Sequence, residues 1–274
     1  MKNLIMCPPL HFDVVYELST NQWMDKNRKP DKALANQQWT KLYEECCKSA
    51  KVTLMPSCPG LPDLIFVANA GLRYRDAFIF SHFFHEERRK EFLHHFDFFG
   101  KLLKGHTTYV LPENCYFEGQ GDAVWLDDKR LVIGYGIRTN FSGVKAVETL
   151  LKKHYPEIEV YPIAMRPQST FYHLDTCLCY LPKAKAFLAY PEALLREGME
   201  TLSQLGKICP VIRQEADEFV CNSVVINEET IFMPWASQSI KNLMKEFGYP
   251  NVQTFPMSEF LKSGGAVKCL ILEM

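Results

Sequence analysis

A unit of strand, polar turn, strand, amphipathic helix and strand recurs along this chain at roughly 50-residue spacing, and this recurrence constrains the fold more than any single motif. One copy runs through Ala123–Leu126, the turn Asp127–Lys129 and Leu131–Gly134. Its helix is predicted from Ser142 to His154, with Val144, Val147, Leu150 and Leu151 on one face and Ser142 as N-cap, and a strand follows from Ile158 to Ile163. The pattern returns with strands at Leu64–Asn69 and Ala77–Phe80 and a helix over Glu86–Phe99. It returns again with Thr176–Leu181 and Ala186–Ala189 around the turn Pro182–Lys185, before helical turns over Glu192–Leu205. A further copy pairs Val224–Asn227 and Thr230–Met233 with a helix over Gln238–Phe247, and a fifth helix, Lys32–Ala50, follows an N-terminal strand at Leu4–Cys7. Units that cannot bury their apolar faces alone are stable when stacked on neighbours, so the recurrence predicts an α/β repeat architecture closed into a ring, against the alternative of one plain α/β sheet. No Gly/Ser-rich linker divides the 274 residues, and residues 1–274 read as one domain.

With 47% hydrophobic and 23% charged residues, an ordinary globular core is expected. A formal net charge of −1 gives no field for nucleic acid or an acidic membrane as main partner, and leaves a homo-oligomer open. No apolar run approaches the roughly 20 residues that span a bilayer. Met1–Leu10 reads as a buried strand rather than a signal peptide, because Pro8 and Pro9 interrupt it, and a cytoplasmic location is expected. The ten cysteines include the adjacent Cys46 and Cys47 and the pair Cys177 and Cys179, neither at a zinc half-site spacing. One reactive thiol and nine packing residues are expected, with no metal and no cofactor. His82, His85, His94 and His95 lie among phenylalanines and read as surface or packing residues.

Three segments carry chemistry. Phe117-Glu118-Gly119-Gln120-Gly121-Asp122 sets two carboxylates four positions apart across a glycine-containing bend. A carboxylate is a natural fork for a planar guanidinium, since two parallel N–H···O bonds match its two oxygens. The plainer reading is a solvated turn. Phe171-Tyr172-His173-Leu174-Asp175-Thr176 puts an imidazole just before an apolar strand, with Asp175 on the same face if the segment is extended. A carboxylate beside an imidazole fixes its tautomer and suits it to carrying protons, although a structural histidine is the commoner case. Ser263-Gly264-Gly265-Ala266-Val267-Lys268-Cys269-Leu270 delivers a cysteine onto an apolar strand through a Gly-Gly bend. It is either a thiolate nucleophile or a buried strand cysteine. The cluster Glu86-Glu87-Arg88-Arg89-Lys90 reads as a solvated helix start.

Taken in order, these segments resemble the pentein superfamily of arginine deiminases, dimethylarginine dimethylaminohydrolases and amidinotransferases. The resemblance begins at Met6-Cys7-Pro8-Pro9 and His11-Phe12-Asp13-Val14, and continues through Asn21-Gln22-Trp23-Met24 and Phe66-Val67-Ala68-Asn69-Ala70-Gly71-Leu72. It then takes in the Glu118 segment, Gly134-Tyr135-Gly136-Ile137-Arg138-Thr139, the His173 segment and the stretch ending at Cys269. It implies a five-bladed α/β propeller of pseudo-symmetric ββαβ units around a central site, and a small guanidino compound as partner. It implies that Cys269 attacks the guanidinium carbon and that His173 protonates the departing amine and then activates water. By the same resemblance, Glu118 and Asp175 hold the guanidinium or orient the histidine, Asp122 shares this work, Arg138 binds the substrate carboxylate, and Asn21 and Asn69 complete the substrate site.

Deiminases usually carry Asp where this chain has Asn69, and Asn there, with Asn21-Gln22-Trp23-Met24, is similar to arginine dihydrolases, which release two ammonia molecules and give ornithine. Relatives tend to carry Ser-Arg-Phe where this chain has Ser81-His82-Phe83, which implies altered carboxylate recognition. Amidino transfer, dimethylarginine hydrolysis and a non-catalytic arginine-binding module are the alternatives.

Overall fold

The structure is a computed structural model that describes residues 1–168 and 170–274. Among the described residues, strands β1 (Lys2–Met6), β2 (Ala50–Leu54), β3 (Gly71–Tyr74), β4 (Ala77–Phe80) and β5 (Thr107–Tyr109) are followed by β6 (Ala123–Trp125), β7 (Arg130–Tyr135) and β8 (Glu159–Ala164). The chain continues with β9 (Leu178–Leu181), β10 (Ala186–Ala189), β11 (Lys207–Pro210), β12 (Val224–Val225), β13 (Thr230–Met233), β14 (Asn251–Thr254) and β15 (Leu272–Glu273). They form five three-stranded sheets: β15-β1-β2, β3-β4-β5, β6-β7-β8, β9-β10-β11 and β12-β13-β14. In each sheet the first strand runs antiparallel to the second and the second parallel to the third, as where Ala123 faces Ile133 and Leu131 faces Val160. A parallel pair needs a long crossover, and a helix supplies it in every unit. These are the repeated units that the recurrence predicts, and the five blades that the pentein resemblance implies.

The first blade is built from both ends of the chain. Strand β1 pairs with β15 through Leu4 and Glu273, and with β2 through Leu4 and Val52. Middle strands β4, β10 and β13 are buried at every residue, which is why they read as continuous apolar runs rather than alternating ones. Each long helix buries one stripe. Ala35, Trp39, Leu42 and Cys46 do so in Lys32–Ser49, and Val144, Val147 and Leu151 in Phe141–His154.

Several local expectations are corrected. Leu64–Asn69 is not a strand: two 3-10 turns, Pro62–Ile65 and Val67–Ala70, precede β3. Thr176 belongs to the 3-10 turn Leu174–Thr176, so β9 starts at Leu178. Short apolar runs buried on all sides carry no period that separates strand from helix. The Glu86–Phe99 helix breaks at Lys90 into Glu86–Arg89 and Glu91–Leu102, and the fourth unit's helix begins at Arg196. The strand after Asn222 shortens to Val224–Val225. The cysteines divide differently from nine packing residues: Cys47 is exposed, Cys58 and Cys115 are half-buried, and all ten are free. Among the described residues no helix is long and apolar enough to cross a membrane.

The helix of the third unit starts one residue earlier than expected. Its N-cap is Asn140, whose Oδ1 accepts from Gly143 N at 2.7 Å and Tyr116 N at 3.1 Å, while Ser142 is exposed inside the first turn. Asn140→Ala should therefore cost about 1–2 kcal/mol of unfolding free energy and Ser142→Ala less than about 0.5 kcal/mol, read from urea midpoints. Equal losses in the two variants would contradict this cap.

Candidate active site

The segment that enters the first strand of each blade carries polar side chains into the middle of the ring. Asn69 lies two residues before β3, Glu118 and Asp122 ahead of β6, His173 and Asp175 ahead of β9, Asn222 two residues before β12, and Cys269 three before β15. Cys269 is thus in the turn before the apolar strand and not on it. Hydrogen bonds link these segments in turn. Asn69 Nδ2 donates to the Glu118 carbonyl oxygen at 3.2 Å, and Glu118 Oε2 lies 2.7 Å from His173 Nε2. Asn222 Nδ2 donates to the Asp175 carbonyl oxygen at 3.1 Å and to Cys269 Sγ at 3.2 Å, and Ala68 N donates to the Cys269 carbonyl oxygen at 3.2 Å.

Cys269 and His173 line one narrow void together with Asn21, Asn69, Asp63, Arg88, Arg138 and Tyr172. Two glycines admit the sulfur. Gly264 has φ +74°, and a Cβ there would sit 2.6 Å from Tyr172 Oη; a Cβ on Gly265 would sit 2.2 Å from the Phe66 ring. Cys269 is 3% exposed, and its thiol lies 3.3 Å from Asp175 Oδ2. Burial first and the Asp175 charge second push the thiol well above its usual range, against the Asn222 amide and the backbone at Ala266, which favour the thiolate.

The carboxylate partner of His173 is Glu118, not Asp175, because the 3-10 turn Leu174–Thr176 rotates Asp175 away toward the sulfur. Glu118 is completely buried. Burial alone would raise its pKa, but the Arg138 guanidinium at 3.1 Å and the His173 hydrogen bond hold it well below the usual carboxylate range. An ionised Glu118 fixes the proton on His173 Nε2. Arg138 also donates through Nε to Thr20 Oγ1 at 2.5 Å, and its guanidinium lies 4.8 Å from the centre of the Tyr172 ring. Burial pushes Asp122 up to about 6, despite His173 nearby, the Thr139 hydroxyl at 2.7 Å and Leu174 N at 2.9 Å. Burial pushes Asp175 up to about 7, and its Oδ1 has no hydrogen-bond partner among the described residues.

Asn21 lines the void, but both ends of its amide are engaged: Nδ2 donates to the Ser263 carbonyl oxygen at 3.0 Å and Oδ1 accepts from Trp23 N at 3.1 Å. The Glu86–Lys90 cluster is not a solvated helix start throughout. Arg88 is 4% exposed, forks Glu91 through Nε at 2.7 Å and Nη2 at 2.9 Å, and donates from Nη1 to Asn69 Oδ1 at 3.0 Å. Burial lifts Glu91 to about 7 even beside this partner. His82 is not among the residues lining the void; its Nδ1 lies 3.2 Å from the Pro112 carbonyl oxygen. Among the described residues, no group of three or more His, Cys, Asp or Glu is placed to hold a metal ion.

Asn222 and Arg88 were missed in the sequence. The signal for Asn222 was available, because it occupies in the fifth unit the strand-entry position that Asn69 holds in the second. Arg88 carried none, since its charge run looks like any exposed helix turn.

The sequence model of the family described as N,N dimethylarginine dimethylhydrolase, eukaryotic, matches residues 16–274. The bifunctional arginine dihydrolase/ornithine cyclodeaminase ArgZ of Synechocystis sp. is 36% identical over 99% of this chain, which spans 37% of that protein's length. The N(G),N(G)-dimethylarginine dimethylaminohydrolase of Mycobacterium tuberculosis is 29% identical, over 98% of this chain and 84% of its own. The crystal structure of the N-terminal domain of an asparagine-to-serine variant of ArgZ, covalently bound to a reaction intermediate, superposes with a TM-score of 0.90 at 33% identity, covering 100% of this chain and 97% of that one.

The buried acids predict a pH signature. Asp122 and Asp175, with ordinary values of 3.8, hold their protons more tightly folded than unfolded. Their effect therefore lowers stability as pH rises from about 4 toward 6 and 7. Glu118 works the other way: its stabilisation is present above the unfolded value near 4.3 and is lost as pH falls through the depressed folded value. Asp175→Asn should raise the unfolding free energy at pH 8 by roughly 1–3 kcal/mol, seen as a higher urea midpoint, and flatten the decline below pH 7. An unchanged or lower midpoint at pH 8 would count against a buried, strained carboxylate at this position.

Proposed function

The chain belongs to the N,N-dimethylarginine dimethylhydrolase family within the pentein superfamily, and from that membership we propose that it hydrolyses the guanidinium of arginine or a close analogue through a covalent intermediate on Cys269. One observation carries the reading: the Cys269 sulfur and the His173 imidazole line the same void, with Glu118 against the imidazole and Asp175 against the sulfur.

A guanidinium entering this void approaches the Cys269 sulfur, against which Asp175 stands with an Oδ1 that lacks a partner among the described residues. Its positive charge offsets the repulsion between carboxylate and thiolate, so the substrate itself promotes ionisation of the nucleophile. Sγ adds to the guanidinium carbon and gives a tetrahedral adduct. His173 passes a proton to one nitrogen, ammonia departs, and an alkylthiouronium remains on Cys269. Water deprotonated by His173 adds to that carbon, and expulsion of the thiolate gives the urea citrulline. Arg138 holds the substrate carboxylate.

Asn69 favours a second hydrolysis. Arg88 Nη1 engages its Oδ1, which leaves Nδ2 with two hydrogens, only one of them used by the Glu118 carbonyl oxygen. The other can donate to the neutral urea oxygen, which an Asp carboxylate would repel. The thiolate then adds to the ureido carbon and a second ammonia leaves. Water converts the resulting thiocarbamate into a carbamate, which loses carbon dioxide. One arginine and two waters thus give ornithine, two ammonia and carbon dioxide. Hydrolysis of dimethylarginine is the second reading, favoured by the family description and by the mycobacterial relative.

Arginine should yield ornithine with two equivalents of ammonia, and Cys269→Ser should release none while keeping its circular-dichroism spectrum. Ammonia release persisting in that variant removes the covalent mechanism. Asn69→Asp should shift the end product from ornithine to citrulline, scored by amino-acid chromatography; an unchanged ratio would mean that Asn69 does not govern the second step. Glu118→Gln should lower kcat/KM about 100-fold or more, because it takes a negative charge from the cation site and from the His173 partner.

A further inference from the structure

Cys269 has three kinds of neighbour, and only one supplies a side-chain hydrogen bond that favours its ionised form. Asp175 Oδ2 lies 3.3 Å from the sulfur and opposes a thiolate. Tyr172 is buried beside it, but its hydroxyl donates to the Gly264 carbonyl oxygen at 2.6 Å. His173 and Arg138 line the same void and are committed to Glu118 at 2.7 Å and 3.1 Å. Lys268, the preceding residue, turns its ammonium to Gln120 Oε1 at 2.9 Å and Glu273 Oε1 at 3.5 Å. Asn222, fully buried, remains, with Nδ2 3.2 Å from Sγ.

The rest of the Asn222 amide is equally committed. Its Oδ1 accepts from Lys268 N at 2.9 Å and Cys269 N at 3.3 Å, and Nδ2 also donates to the Asp175 carbonyl oxygen at 3.1 Å. The amide cannot flip without losing these bonds, so its donor end is held toward the sulfur. The repeat supports the same assignment: the fifth blade delivers Asn222 into the ring centre from the strand-entry position that supplies the other polar residues of the site.

We propose that Asn222 is a further catalytic residue, whose amide donates to the Cys269 sulfur to stabilise the thiolate and the covalent adduct, while its carbonyl end holds the backbone that carries the sulfur. The proposal rests on Cys269 being the nucleophile, but not on which guanidino compound it attacks.

Asn222→Leu removes both ends of the amide at nearly constant volume. Asn222→Asp keeps an acceptor for Lys268 N and Cys269 N and replaces the donor to sulfur with a charge that opposes the thiolate. The probe is iodoacetamide, with alkylation of the Cys269 peptide followed by mass spectrometry between pH 7 and 9. Both folded variants should alkylate at least about tenfold more slowly than the parent across this range. The Leu variant adds no charge, so a sulfur that owes nothing to the amide would alkylate there at the parental rate. Parental alkylation in the folded Leu variant therefore overturns the proposal, as does failure of both variants to fold, which would assign Asn222 to the scaffold. If alkylation slows as expected while the parent releases no ammonia from any guanidino compound, the proposed hydrolase reading fails and the Asn222 assignment stands.

Discussion

A closed circuit of hydrogen bonds around the ring centre is the constraint on which the rest of the structure turns. Asn69 reaches Glu118, Glu118 reaches His173, the Asp175 backbone reaches Asn222, Asn222 reaches Cys269, and the Cys269 carbonyl returns to Ala68. Every blade contributes one link. The sheets supply rigid mounts, and the short turns ahead of their first strands spend backbone regularity on aiming side chains inward. A buried polar network of this kind is costly if any member is left unsatisfied, so each blade's position depends on its neighbours'.

The electrostatics divide the buried charges into two groups. Arg138 with Glu118 and Arg88 with Glu91 are paired ions that hold each other in place. Asp122 and Asp175 have no basic side chain bonded to them, and burial raises both. Both therefore hold their protons to higher pH than a free carboxylate does. On the proposed reading, a substrate carboxylate meets the Arg138 guanidinium already engaged by Glu118, so recognition at that end is an exchange of partners rather than a new charge pair.

Much of the fold was legible because its unit repeats: apolar runs at Ala186–Ala189 and Thr230–Met233 matched the observed strands residue for residue. The strand entries were not, since Leu64–Asn69 and Thr176 are apolar or β-branched yet sit in 3-10 turns whose burial comes from neighbouring blades. Glu118, His173 and Cys269 were singled out through chemistry and resemblance together. Their partners were less accessible. Asp175 lies two residues from His173 in sequence, and only the turn at Leu174–Thr176 sends it to the sulfur. Arg88 is buried by a break in its helix at Lys90 that no local signal announces.

The first blade takes its strands from opposite ends of the polypeptide, β15 lying beside β1 through Leu4 and Glu273. Strands β1 and β2 pair with each other directly, and β15 adds the third strand of this blade through Leu272 and Glu273. The segment that supplies this third strand also brings the sulfur. On the proposed mechanism, the attacking atom and the strand that completes the first blade thus come from one stretch of chain.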